Sequence, residues 1–181
     1  MARKQAKKVA SKFVRRFIVE GYTETHYIGL LKSIFPSSEN DNPKNCEGGG
    51  AKSVLREAKK EIEQGNYSEY IVIFDKDTDS PANDKLKAEI RKLPIKKEII
   101  IIEPCFENWL LCHFEKQHST HLNCEDYEKR LRDNYIPNYE KNNVQLLAKY
   151  IDREKIVQAI HSCKQVGQYF ANYFSINQHI D

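Results

Sequence analysis

Three short acidic segments of this 181-residue chain carry the side chains best suited to chemistry. Glu20 directly follows the apolar run Phe17-Ile18-Val19, and Asp75 and Asp77 follow Tyr70-Ile71-Val72-Ile73-Phe74. Glu103 and then Glu107 follow Ile99-Ile100-Ile101-Ile102. A carboxylate that ends a buried strand stands at the strand's tip. Asp77 can point the same way as Asp75 because extended chain repeats every two residues. Carboxylates gathered from neighbouring tips repel one another, and a divalent cation relieves the repulsion. All-oxygen donors select a hard ion, Mg²⁺ or alternatively Mn²⁺, over Zn²⁺. Mg²⁺ keeps much of its water and binds one or two carboxylates plus substrate phosphate, which points to phosphodiester chemistry. Asp-x-Asp after a strand is also common in loops that cap the next helix. The recurrence of acid at more than one strand end is what carries the metal reading.

On this reading Asp75 and Asp77 hold the cation. Glu20 serves as general acid/base, or as a bridging ligand where two ions bind. Glu24 lies one helical turn beyond Glu20 and can face the same pocket, or it can simply complement the helix dipole. Glu107 sits near a helix start among Phe106, Trp109 and Leu110, as ligand or base. His113 is a candidate with a commoner competing role, a core histidine bonded to a backbone carbonyl. Lys76, between the two aspartates, can touch a phosphate or point to solvent. Gly48-Gly49-Gly50-Ala51-Lys52-Ser53 is not a nucleotide-binding P-loop, because Ala51 stands where glycine must precede Lys-Ser. The helix that follows can still receive a phosphate at its N-terminus. Cys112, His118, His121 and Cys124 have zinc-capable chemistry at a non-standard spacing.

The elements needed to position these groups are legible in the hydrophobic pattern. Residues 12–19 read as a strand and residues 23–35 as a helix capped by Thr23. Residues 36–50 read as a polar loop and residues 53–64 as a helix closed by Gly65-Asn66. A second buried strand covers Tyr70 to Phe74, a polar helix residues 83–93, and a third strand residues 97–103. A helix opened by Pro104 then covers residues 105–116. Strands alternating with helices predict an α/β fold with a parallel central sheet flanked by helices. The division expected is a basic arm over residues 1–12, a catalytic core over 13–118, and a helical C-terminal extension over 119–181.

Charge sharpens this division. The chain holds 29 Lys and Arg against 26 Asp and Glu, but its first sixteen residues carry seven cations and no acid. The rest is therefore net acidic, at −4. Lys7, Lys8 and Lys12 of the arm, with Lys76, are the candidate nucleic-acid contacts, since cations that neutralise phosphates release counterions. Tyr127, Tyr135 and Tyr139 could stack on bases, although packing is the commoner fate of such residues. No apolar run approaches the roughly 20 residues of a membrane span, so no membrane partner is expected. Five cysteines at irregular spacing, without an export signal, suggest reduced thiols and a cytoplasmic protein.

Three segments together resemble the RloB family, which has a Toprim-like core. They are Ile18-Val19-Glu20-Gly21-Tyr22-Thr23-Glu24-Thr25-His26-Tyr27, Ile73-Phe74-Asp75-Lys76-Asp77, and Pro104-Cys105-Phe106-Glu107-Asn108-Trp109-Leu110-Leu111-Cys112-His113-Phe114. Order and spacing agree over about residues 13–115, and the third segment is the most specific. Tyr22 and His26 depart from the family's usual Lys and Asn. The resemblance implies a Toprim-like, Rossmann-like three-layer domain with a Glu and an Asp-x-Asp pair around Mg²⁺. It further implies a metal-dependent endonuclease of DNA or RNA, with tRNA among the targets, acting in phage defence beside an ATPase partner. A homo-oligomer is compatible with this reading. The alternatives are a non-catalytic nucleic-acid-binding adaptor with a degenerate Toprim site and, more remotely, a nucleotide hydrolase.

Overall fold

A computed structural model describes residues 14–35, 40–116, 122–141, 143–174 and 176. Four parallel strands form its sheet: β1 (Val14–Val19), β2 (Asn40–Asn45), β3 (Glu69–Asp75) and β4 (Lys96–Ile102), in the order β2-β1-β3-β4. Helices α1 (Tyr22–Ile34), α2 (Gly50–Gln64) and α3 (Asp84–Lys92) connect them, with a 3-10 turn at Pro81–Asn83. After β4 come α4 (Phe106–Leu111), α5 (Cys124–Asn134), α6 (Val144–Tyr150), α7 (Arg153–Ser162) and α8 (Lys164–Tyr173).

The strand alternation builds two cores. Ile18 of β1 and Tyr70, Val72 and Phe74 of β3 face one side, where Val54, Leu55, Ala58 and Ile62 of α2 and Ile90 of α3 cover them. Phe17 and Val19 of β1, with Ile71 and Ile73 of β3, face the other side. There Tyr27, Ile28 and Leu31 of α1 pack with Trp109 and Leu110 of α4, and with Phe170 and Phe174 from the C-terminal helices. Central strands covered on both faces need continuous apolar runs, which is why β1 and β3 lack polar alternation. The result is a three-layer, Rossmann-like α/β arrangement.

The chain steps one way from β1 to β2 and then back past β1 to β3. Right-handed crossovers in opposite directions put α1 and α2 on opposite faces. They leave a crevice between the carboxyl ends of β1 and β3, the usual ligand position in such sheets.

β2 is a correction, since residues 36–50 read as loop. Its sequence, Asn-Asp-Asn-Pro-Lys-Asn, has no apolar pattern. It is an edge strand, where proline is tolerated because one side of the ladder is unpaired. Its buried Asp41 is matched by Arg15 across the register, with Nε to Oδ1 at 2.6 Å. Sequence reading also placed the α1 cap at Thr23. The helix instead starts at Tyr22 after an extended Gly21, and the Thr23 hydroxyl donates to the carbonyl of Lys141 at 2.8 Å.

The cysteines are a second correction. Cys105 pairs with Cys124 and Cys112 with Cys163 in disulfides, and Cys46 is free. The partners are 19 and 51 residues apart and meet because α4 packs against α5 and the α7–α8 junction, a proximity that irregular spacing hides. Both cysteines of the suspected zinc set are thus taken up in different pairs, and His118 and His121 lie outside the described residues. Among the described residues no helix is long and apolar enough to cross a membrane.

Candidate active site

The crevice at the carboxyl edge holds a pocket of about 290 Å³ whose lining includes Glu20, Glu24, Asp75, Glu107 and Lys141. β1 and β3 deliver Glu20 and Asp75 side by side, since Val19 and Ile73 are register partners. The backbone N–H of Asp75 donates to Glu20 Oε2 at 3.3 Å, and the Thr78 hydroxyl donates to the same oxygen at 3.1 Å. Glu24 enters from the first turn of α1 and Glu107 from the first turn of α4. Both are buried, Glu107 to 1 % exposure.

The turn before α2 closes one side. Gly48, Gly49 and Gly50 have φ of 82°, 91° and 69°, and three successive left-handed residues are practical only for glycine. The Gly48 N–H donates to the Glu20 carbonyl at 2.9 Å, so this turn is strapped across the end of β1.

Electrostatically the pocket is strained by its own charge. Burial, then the charges of Glu24, Glu107, Glu20 and Asp77, push Asp75 up to about 9. Burial, then the charges of Glu107 and Glu20, push Glu24 up to about 7. Burial also raises Glu20, partly offset by the hydrogen bonds from Asp75 and Thr78. The compensating cation is Lys141, whose Nζ lies 3.2 Å from Glu107 Oε1; the Tyr139 hydroxyl donates to that same oxygen at 3.2 Å. Among the described residues, Asp75 Oδ1 and Glu107 Oε2 are buried and have no hydrogen-bond partner.

These orphaned oxygens test whether the residues suit a divalent cation. Among the described residues, no group of three His, Cys, Asp or Glu converges as a ready-made metal cage. A hydrated Mg²⁺ does not need one: it takes one or two carboxylates and completes its shell with water and phosphate. An oxygen-only donor set with an unpartnered Asp75 oxygen and raised proton affinities fits such an ion.

The expected residues divide into those gathered at the pocket and those elsewhere. Glu20, Glu24, Asp75 and Glu107 come together. Asp77 is exposed outside the lining, its N–H donating to the Pro104 carbonyl at 3.0 Å, and it acts on Glu20 and Asp75 by charge. Lys76 is exposed on the same turn, its N–H held by the Ile102 carbonyl.

His113 is away from the pocket, wholly buried in the core. Its Nδ1 lies 3.1 Å from the carbonyls of Trp109 and Leu110, and its Nε2 lies 2.8 Å from the Tyr27 hydroxyl. The carbonyls require a proton on Nδ1, so Nε2 accepts from Tyr27. Burial depresses this imidazole to about 4, so it is neutral and structural. Tyr127 and Tyr139 are buried, and Tyr135 bonds Glu115 while stacking on Phe114, so these rings are packed rather than offered to bases. Lys7, Lys8 and Lys12 lie outside the described residues.

Sequence reading missed Lys141. Nothing in residues 137–143 marks it among the body's many cations. The only indirect signal is the need of buried acids for a counter-charge.

The family model described as RloB-like protein matches residues 17–175. No curated protein and no solved structure matches the chain. The chain belongs to the RloB-like family.

Proposed function

We propose that this RloB-like protein is a divalent-metal-dependent phosphodiester hydrolase, an endonuclease of DNA or RNA, whose reaction takes place between the tips of β1 and β3. The observation that carries the reading is the buried, unpartnered Asp75 oxygen in a pocket also lined by Glu20, Glu24 and Glu107. Such a cluster destabilises the bare fold, and an adaptor with a degenerate site gains nothing from retaining it.

Asp75 and Glu20 would hold the ion, and Asp77 would add negative charge beside them. Bound there, Mg²⁺ or Mn²⁺ supplies charge stabilisation of the phosphoryl oxygens and lowers the pKa of a bound water. The chain's own groups do the rest. Glu20, fixed by two donors on one oxygen, keeps its other oxygen for the ion or for a proton. Glu24, raised to about 7, can take or return a proton near neutral pH. Glu107, clamped by Lys141 and Tyr139, presents its unpartnered oxygen. Lys141, half exposed at the rim, is placed to meet a substrate phosphate.

Defence against phage and an ATPase partner form the biological context proposed with this activity, on the family resemblance. Titration of Mn²⁺, read by the loss of its free-ion electron paramagnetic resonance signal, tests the site. Stoichiometric binding that is lost in Asp75→Asn and Glu20→Gln supports it. Binding of equal strength in wild type and both variants would reject it.

A further inference from the structure

A second groove, of about 600 Å³, runs along α2 beside the carboxylate pocket. Lys52, Arg56 and Lys60 line it from the helix, and Lys44 lines it from the end of β2. Spacing of four residues puts the three helical cations on one face over about 12 Å. All three are exposed. Two carboxylates, Glu47 and Glu57, also line the groove, but Glu57 is already engaged by Lys44 at 2.9 Å and Lys60 at 3.7 Å. Lys52 and Arg56 form no ion pair among the described residues.

The groove continues the pocket, since Glu47 lines both. α2 starts at the Gly48–Gly50 turn strapped to β1, so Lys52 stands nearest the carboxylates and Lys60 farthest from them. Its N-terminus adds the positive end of the helix dipole to the side chains. Successive phosphates rise about 3.4 Å along a duplex axis but stand farther apart along the strand itself, so about 12 Å of cations spans two or three of them.

We propose that the α2 groove is a track for the phosphate backbone of the nucleic-acid strand cut at the carboxylate pocket. This rests on the hydrolase reading for its direction, but it can be measured without catalysis. The same four cations are poorly suited to an acidic protein face, because they line a concave channel continuous with a phosphodiester-sized pocket. The track would hold backbone without reading sequence, since phosphate contacts position a strand and base contacts specify it.

The experiment measures fluorescence anisotropy of labelled single-stranded and duplex DNA and RNA oligonucleotides in EDTA, over a range of salt. The full chain is compared with Lys52→Gln/Arg56→Gln/Lys60→Gln. The control is Lys85→Gln/Arg91→Gln/Lys92→Gln, equal in charge change and exposed on α3 outside both pockets. The α2 variant should bind at least about ten-fold more weakly at 100 mM salt. Its slope of log affinity against log salt should fall by about 2, given about 0.7–0.9 per phosphate lost. The control should move neither quantity. Arg56→Gln alone, expected to lower the slope by about 0.7–0.9, keeps the test readable if the triple variant does not fold. Binding to RNA only, DNA only or both supports the track and identifies the strand. An unchanged slope in the α2 variant, equal losses in both triple variants, or no binding by the intact chain would overturn it. Because EDTA removes metal, a protein that binds through the track yet never cuts refutes the hydrolase reading alone.

Discussion

The backbone N–H of Asp75 donates to Oε2 of Glu20 at 3.3 Å, so the two central strand tips are joined through one of the carboxylates that share the pocket. That bond stabilises the charged form of Glu20 while Glu20 raises Asp75, because the negative charge it helps retain faces the neighbouring acid. The site therefore holds an unequal pair: Asp75 is pushed up to about 9, while Glu20 is raised by burial against two hydrogen bonds that hold it down.

The first prediction concerns stability without metal. Asp75 has its folded value raised from 3.8 to about 9, and Glu24 from 4.5 to about 7. A raised acid keeps a proton that the unfolded chain releases, so stability is full below the ordinary value and is lost as pH rises towards the folded one. In EDTA the urea midpoint should fall between about pH 5 and pH 9, and Mg²⁺ should raise it at pH 8 by binding the folded state. Asp75→Asn should flatten the fall, raise metal-free stability at pH 8 by about 1–3 kcal/mol, and remove most of the response to Mg²⁺. A variant as pH-sensitive as wild type would contradict the placement of Asp75.

The second prediction separates His113 from catalysis. A buried imidazole depressed to about 4 stays neutral in the fold while the unfolded chain protonates near 6.5. Its contribution is therefore present above pH 6.5 and lost as pH falls towards 4, amounting to roughly 3 kcal/mol over that window. His113→Gln should lower stability at pH 8 by about 1–3 kcal/mol through the lost bonds to Tyr27 and the helix carbonyls. It should also reduce the loss between pH 6.5 and 4, and leave kcat within a few-fold wherever the variant is folded. A kcat loss of a hundred-fold in a fully folded variant would return His113 to the mechanism.

Lys141 gives the third. Its Nζ is the cation on buried Glu107, so Lys141→Met leaves that carboxylate facing the other acids of the pocket. Metal-free stability at pH 8 should drop by about 1–3 kcal/mol, added Mg²⁺ should recover more of it than in wild type, and Lys141→Arg should keep most of it. Thermal melts with and without Mg²⁺ decide this; a Met variant that melts like wild type in EDTA would show that Lys141 does not balance the cluster.

Much of this arrangement can be read from the residues because the central strands must be apolar on both faces. Phe17-Ile18-Val19 and Tyr70 to Phe74 admit few other structures, and the acids that follow them fall at one sheet edge by topology. β2 was illegible because an edge strand faces less core, and the burial of Asp41 is settled by Arg15, 26 residues away. Asp77 failed the simple alternation rule because the chain turns immediately after Asp75. The Thr78 hydroxyl, donating to Glu20 and close to the Asp75 carbonyl, belongs to that turn. Lys141 reaches the pocket through tertiary contacts, notably Thr23 to its carbonyl, which no local pattern encodes.

Cleavage itself tests the central claim most directly. Purified protein, alone and with its proposed ATPase partner, is incubated with pooled DNA and RNA, including tRNA, in Mg²⁺, in Mn²⁺ and in EDTA. The account predicts strand scission with either cation, none in EDTA, and a loss of at least about a hundred-fold in Asp75→Asn and Glu20→Gln, the scale of losing one catalytic element. Scission that persists in EDTA or in Asp75→Asn, or no scission of any substrate under any of these conditions, would contradict it.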